Sequence, residues 1–212
     1  MRRAHNEPEA MWRDGFLFLG NQLALDFLNT RPVMDGHLVE LLPNFSALLR
    51  WFQAADLLTS SRRAELERHW RETAGARHTL AALRNFREEL RKEILAWEQG
   101  GAVSRSMVGE LNALMAAHPM RTRLNAGGKK SATELWFELR QPDDLFAPLA
   151  HSAAMLFANV DPGRVRKCEQ CVLHFQDTSK KGTRRWCSMR LCGNRRKVAA
   201  YAARQRKIRA RV

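Results

Sequence analysis

The chain has 212 residues, 45% of them hydrophobic, and carries 36 Lys and Arg against 22 Asp and Glu, a formal net charge of +14. That is enough apolar material for one core-bearing domain with a small module beside it. No apolar run approaches the roughly 20 residues of a helical membrane span, which excludes that class, and the positive balance points to a polyanionic partner.

The first residues, Met1 to Glu9, turn polar before any apolar run. That does not fit a secretory signal, so a cytoplasmic protein is expected. Gly15-Phe-Leu-Phe-Leu-Gly20 is short and bounded by glycines, which predicts a strand. Leu23, Phe27 and Leu28 then fall at helical spacing with Asp26 and Asn29 on the flank, and Arg31-Pro32 ends the segment. Residues 36–42 read as a strand, and Pro43-Asn44 as a helix start. Leu48, Leu49, Phe52, Leu57 and Leu58 form one amphipathic stripe, and Leu66 with Trp70 another after Thr59-Ser60-Ser61. The clearest helix carries Leu80, Leu83, Phe86, Leu90, Ile94 and Trp97 and stops at Gly100-Gly101. Met107, Leu111, Leu114 and Met115 make a further helix that ends near His118-Pro119. Asn125 to Gly128 reads as a turn and Glu134 to Arg140 as a strand, so a hairpin is expected there. Residues 145–160 return to helix, and Asn159-Val-Asp-Pro-Gly-Arg164 marks a boundary. The fold class expected is α+β, with a mostly helical N-terminal domain over residues 1–160 and a small module over 164–212.

The large domain shows no catalytic signature. G-x-S-x-G, H-E-x-x-H and phosphate-binding glycine loops are absent from the sequence. Its six histidines (His5, His37, His69, His78, His118 and His151) have no ligand-like spacing. Catalytic residues are therefore expected to be none, and the protein is not expected to be an enzyme. Asp26 and Asn29 are the polar residues to inspect first, with capping and packing the better explanation for both. No ligand-binding residue can be assigned from the pattern.

All four cysteines lie in the module, as Cys168-Glu-Gln-Cys171, then Cys187 and Cys192. Two close pairs separated by fifteen residues suit one tetrahedral zinc ion held by four thiolates. Disulfides are the weaker reading, because a reducing compartment keeps such thiols free. Residues 164–212 hold 16 basic residues and two acidic ones, leaving 20 of each sign before them. The whole excess charge therefore sits on the zinc module. It suits phosphate contacts with counterion release, against the plainer reading of a solvated basic tail. An anionic membrane surface fits less well, for want of an apolar helix face.

The run Trp186-Cys187-Ser-Met-Arg-Leu-Cys192-Gly193-Asn194-Arg195-Arg-Lys197 resembles the CGNR zinc finger, and Cys168-x-x-Cys171 and Phe175-x-Asp177 fit it too. Upstream, Leu23-Ala-Leu-Asp26-Phe27-Leu-Asn29-Thr30 resembles the start of the ABATE domain, the companion of that finger. The resemblance implies a bacterial, stress-linked transcription regulator, with the large domain a sensor or interaction domain and the finger a DNA binder. It also implies a treble-clef-like finger. Cys168 and Cys171 would form a knuckle, Val172 to Trp186 a hairpin turning at Lys180-Lys181-Gly182, and Cys187 with Cys192 would begin a last helix over 194–209. Trp186, Phe175 and Val198 would be its miniature core, and His174 a substitute ligand only if a sulfur were missing. Lys180, Lys181, Arg184, Arg185, Arg195, Arg196, Lys197 and Arg204 are the candidate nucleic-acid contacts. RNA or ribosome association is the alternative, since nothing in these residues distinguishes a 2′-hydroxyl. An unidentified small-molecule effector and a homodimer complete the expected partners. Oxidation of Cys187 or Cys192 would offer a redox switch.

Overall fold

The computed structural model describes residues 11–34, 37–126, 132–188 and 192–193. The chain is α+β: six α-helices and four separate two-stranded antiparallel sheets among the described residues. The elements are β1 (Met11–Arg13), β2 (Phe16–Phe18), α1 (Leu23–Leu28), β3 (Val33–Met34), β4 (His37–Leu38), α2 (Phe45–Ala54), α3 (Ser60–Trp70), α4 (Ala74–Glu98) and α5 (Arg105–Ala117). After them come β5 (Arg121–Asn125), β6 (Ala132–Trp136), α6 (Phe146–Asn159), β7 (Val165–Lys167) and β8 (His174–Gln176).

The helices start where short polar side chains can take up free amides. The side chain of Asn44 accepts from Ala47 N at 2.9 Å, Thr59 from Arg62 N at 3.2 Å, Thr73 from Ala76 N at 3.1 Å and Ser104 from Met107 N at 3.1 Å. The long helix α4 carries its expected stripe into the core, with Leu83, Leu90 and Ile94 fully buried, and ends before Gly100 at φ +89°. The stripe expected to run through Leu57 and Leu58 is cut earlier. Helix α2 ends at Ala54, because Asp56 turns left-handed at φ 60° and sends Leu58 into the core from a loop. Over 36–42 the strand shrinks to β4, with both residues exposed. The hairpin β5–β6 is present but closes earlier than expected, Arg121 pairing with Trp136. No helix among the described residues is long and apolar enough to cross a membrane.

Strand β2 explains its own composition. Alternate residues of a strand point to opposite faces. Phe16 and Phe18 pack into the large helical core, while Leu17 and Leu19 pack into a second, smaller core with Leu173, Phe175 and the cysteines. A strand covered on both faces has no place for a polar residue, hence the unbroken Phe-Leu-Phe-Leu. Helix α1, lying against α4, α6 and β8, is buried for the same reason. Beyond the turn at Pro162–Arg164, Val165 points back into the large core. Arg87, 1% exposed, ties this frame together: it donates to Thr30 Oγ1 at 2.8 Å and to Glu40 Oε1 at 2.9 Å, and also pairs with Glu88.

Candidate functional site

The zinc module begins with β7 and β8, which pair from Val165 with Gln176 to Lys167 with His174. The first cysteine pair is the tip of that hairpin, closed by Cys168 N donating to Leu173 O at 2.8 Å. The hairpin expected over 172–186 is thus displaced toward the N-terminus. The cause is Asp177, whose buried carboxylate accepts from Ser179 N at 2.9 Å and Arg184 N at 2.8 Å. These bonds curl the chain after β8 into a turn instead of a second long strand. Gly182 closes that turn at φ +62°, a left-handed conformation that favours glycine, and a Cβ there would also push the Arg164 guanidinium aside.

This curl delivers Cys187 to the first pair. The four sulfurs of Cys168, Cys171, Cys187 and Cys192 lie within 4.8 Å of one another. Cys171 and Cys187 are 3.7 Å apart, and Cys187 and Cys192 3.6 Å. A tetrahedral ion with zinc–sulfur bonds of about 2.3 Å sets sulfur–sulfur edges of about 3.8 Å, whereas a disulfide would need about 2.05 Å. The donor set is therefore that of one structural zinc ion, closed to substrate by its fourth sulfur. The closeness of the four thiols couples their ionisation. Hydrogen bonds from Cys171 and Cys187 hold the Cys168 thiol far below its ordinary range, while the bond to Cys168 pushes Cys171 up to about 12 and raises Cys187 further. Zinc binding replaces these shared protons. Ser188 O then accepts from Cys192 N at 3.0 Å and Gly193 N at 3.1 Å, starting the second knuckle.

His174 stands outside the sulfur cluster and is no ligand. It is 1% exposed, and its ring nitrogens have no hydrogen-bond partner. Burial, with Arg91 and Lys167 nearby, pushes its pKa down to about 4. A folded value below the unfolded one means stability lost as pH falls from about 6.5 toward 4.

The positive residues divide into two groups. Lys180, Lys181 and Arg185 are exposed. Arg184 is turned inward: its Nε donates to Trp186 O at 2.9 Å, its Nη2 to Cys187 O, and its guanidinium lies 4.9 Å from the Phe175 ring centroid. It braces the zinc knuckle. Arg185 is paired with Glu169 through both Nε and Nη2. Arg164 and Arg166, not singled out from the sequence as contacts, reach under the lysine turn. Arg164 Nη1 donates to Ser179 O at 2.6 Å and Arg166 Nη2 to Gly182 O at 2.7 Å. The sequence places them ten or more residues from the lysines, so only the pairing of β7 with β8 could have revealed this. Arg195, Arg196, Lys197 and Arg204, with Asn194, Val198 and the last helix expected over 194–209, lie outside the described residues.

Asp26 and Asn29 have distinct roles. Asp26 Oδ1 accepts from Leu19 N at 2.9 Å and Gly20 N at 2.7 Å, fixing the end of β2. Gly20 is required there, since a Cβ would lie 2.7 Å from Leu25 Cβ. Asn29 joins the two parts of the chain: its Nδ2 donates to His174 O and its Oδ1 accepts from His174 N, each at 2.9 Å. Asn21 Nδ2 donates to Gln176 O at 2.9 Å, Gln22 Nε2 to Gln176 Oε1 at 2.8 Å, and Gln176 N to Gly20 O at 2.8 Å.

Burial raises the Asp26 pKa to about 6, against the lowering pull of the Gly20 and Leu19 amides and of Arg13. Because the folded value lies above the unfolded 3.8, this carboxyl favours folding below pH 3.8, and that contribution is lost as pH rises through 6. At about 1.4 kcal/mol per pKa step the ionised group costs up to about 3 kcal/mol at neutral pH. Asp26→Asn keeps an acceptor for both amides and removes the charge. It is expected to stabilise the protein by about 1–3 kcal/mol at pH 7.5 and by little at pH 4. Urea melts at the two pH values check this; equal shifts at both would contradict it.

Comparison with known families gives two matches. A family described as "Putative stress-induced transcription regulator", ABATE, matches residues 21–160, and the CGNR zinc finger matches residues 164–205. No curated protein matches the chain.

Proposed function

Since the chain belongs to the ABATE family and carries a CGNR zinc finger behind that domain, we propose that it is a transcription regulator that docks on duplex DNA through the zinc module, with the helical domain as its sensor and no catalytic step of its own. The observation that carries this reading is the placement of charge. Lys180 and Lys181 stand exposed on a turn held by Asp177 and Gly182, with Arg164 and Arg166 beneath them. Such a turn contacts phosphates and positions the module without reading bases. Sequence choice would then come from other residues of the module.

Binding of the zinc-loaded protein to duplex DNA across a salt series, repeated after chelation, tests the reading. A steep salt dependence that disappears with the metal supports it, and salt-insensitive or absent binding overturns it. Competition with structured RNA separates the two polyanions. In the same assay Lys180→Glu/Lys181→Glu is expected to lower the slope of log K against log salt by about 2, at about 0.9 per phosphate contact. An unchanged slope would mean that this turn does not touch the backbone.

A further inference from the structure

Between the end of β2, α1, the loop after α2 and α6 lies an open cleft of about 510 Å³, lined among others by Phe18, Gln22, Leu23, Asp26, Ser152 and Met155. Three observations set it apart from the other surface depressions.

One is an uncommitted charge. Asp26 is 9% exposed, and its two hydrogen bonds both fall on Oδ1, leaving Oδ2 without a hydrogen bond among the described residues. A half-satisfied carboxylate in a partly apolar cleft favours a cation that brings its own donors. Arg13, a cation of the protein that acts on Asp26 and also lines the cleft, is already engaged: it pairs with Asp56, donates to Ala54 O at 3.1 Å and lies over the Phe18 ring. A second observation is the mixed lining. Phe18, Leu23 and Met155 offer an apolar wall, with Met155 47% exposed at the mouth. The third is connectivity. Two of the lining residues, Asn21 and Gln22, are the residues that hold Gln176 of the zinc module.

We infer that this cleft binds a small primary ammonium compound with an apolar body, its nitrogen on Asp26 Oδ2 and its body against Phe18, Leu23 and Met155, and that its occupancy tightens the seat of β8. The inference rests on the sensor reading above and supplies its site and ligand class. The stability that ionised Asp26 forfeits is what a bound cation restores, as befits a residue kept for binding.

The test uses the full-length zinc-loaded protein without DNA, so its outcome is independent of DNA binding. Calorimetric titration with phenethylammonium is expected to saturate, and titration with 2-phenylethanol, the neutral isostere, is not. Asp26→Asn, which is expected to fold at least as stably, and Met155→Arg, which places a like charge at the exposed mouth, are each expected to weaken binding by about tenfold or more. Amide exchange at Gln176 is expected to slow when phenethylammonium is present. Absent saturation, equal binding by the alcohol, or full affinity in Asp26→Asn would overturn the site. Saturable binding with unchanged exchange at Gln176 would overturn the coupling to the module.

Discussion

Stripping zinc from the full-length protein is expected to melt the module over residues 165–188 while the helical core keeps its ellipticity. Among the described residues the small core consists of Leu17, Leu19, Leu173 and Phe175 besides the cysteines, with Trp186 at its edge. Burial on that scale does not hold a segment whose chain entropy runs to about 1–2 kcal/mol per residue. Structural zinc contributes about 10–16 kcal/mol of apparent binding energy in finger peptides, and here it supplies most of what fixes the knuckles. Cys187→Ser, which removes the sulfur between those of Cys171 and Cys192, is expected to give the same state without chelator. Because the metal displaces protons held by Cys171 and Cys187, zinc affinity is expected to rise with pH. Amide exchange reads the outcome directly, through the Cys168 and Gln176 N–H groups. Protection at both that survives in metal-free protein would show that the fold does not depend on the ion.

Asn29→Ala is expected to lower stability by roughly 2–5 kcal/mol, because it strands both the buried N–H and the buried C=O of His174 at about 1–3 kcal/mol each. For a chain of this size that is about 5–15 °C in Tm. Asn29→Asp should fare no better, since it retains an acceptor for His174 N and turns a second oxygen toward His174 O. Zinc stoichiometry should stay at one ion, as no ligand is touched, so metal content separates this effect from loss of the site. A melting temperature within a degree of the wild type would remove Asn29 from the role assigned to it.

The features legible in the sequence are those specified locally. Asn44 announces α2, the 80–97 stripe gives α4, and the cysteine spacing gives the zinc ligands before any geometry is known. Pairings at long sequence distance leave no local trace. Asn29 sits on the flank of a short helix and passes for a cap, yet its partner is 145 residues away. The apolar run of β2 indicates burial but not that its two faces serve different cores. Arg184 looks like any basic residue of the tail until Phe175 and the carbonyls of Trp186 and Cys187 are found around it. Asp177 was visible only as part of a motif, and its bonds to two amides are what moved the hairpin.

The two-faced strand β2 has a consequence for how the protein is made. Leu17 and Leu19 are synthesised long before Leu173, Phe175 and Cys187, which cover them. The nascent chain therefore carries an uncovered apolar face until that segment emerges, and contacts so distant in sequence form slowly. Completion waits on both synthesis of that later segment and capture of the metal. A cell short of zinc would then hold not merely an inactive protein but an unfinished one, with β2 open to chaperones and proteases. Abundance of the protein would then follow metal supply.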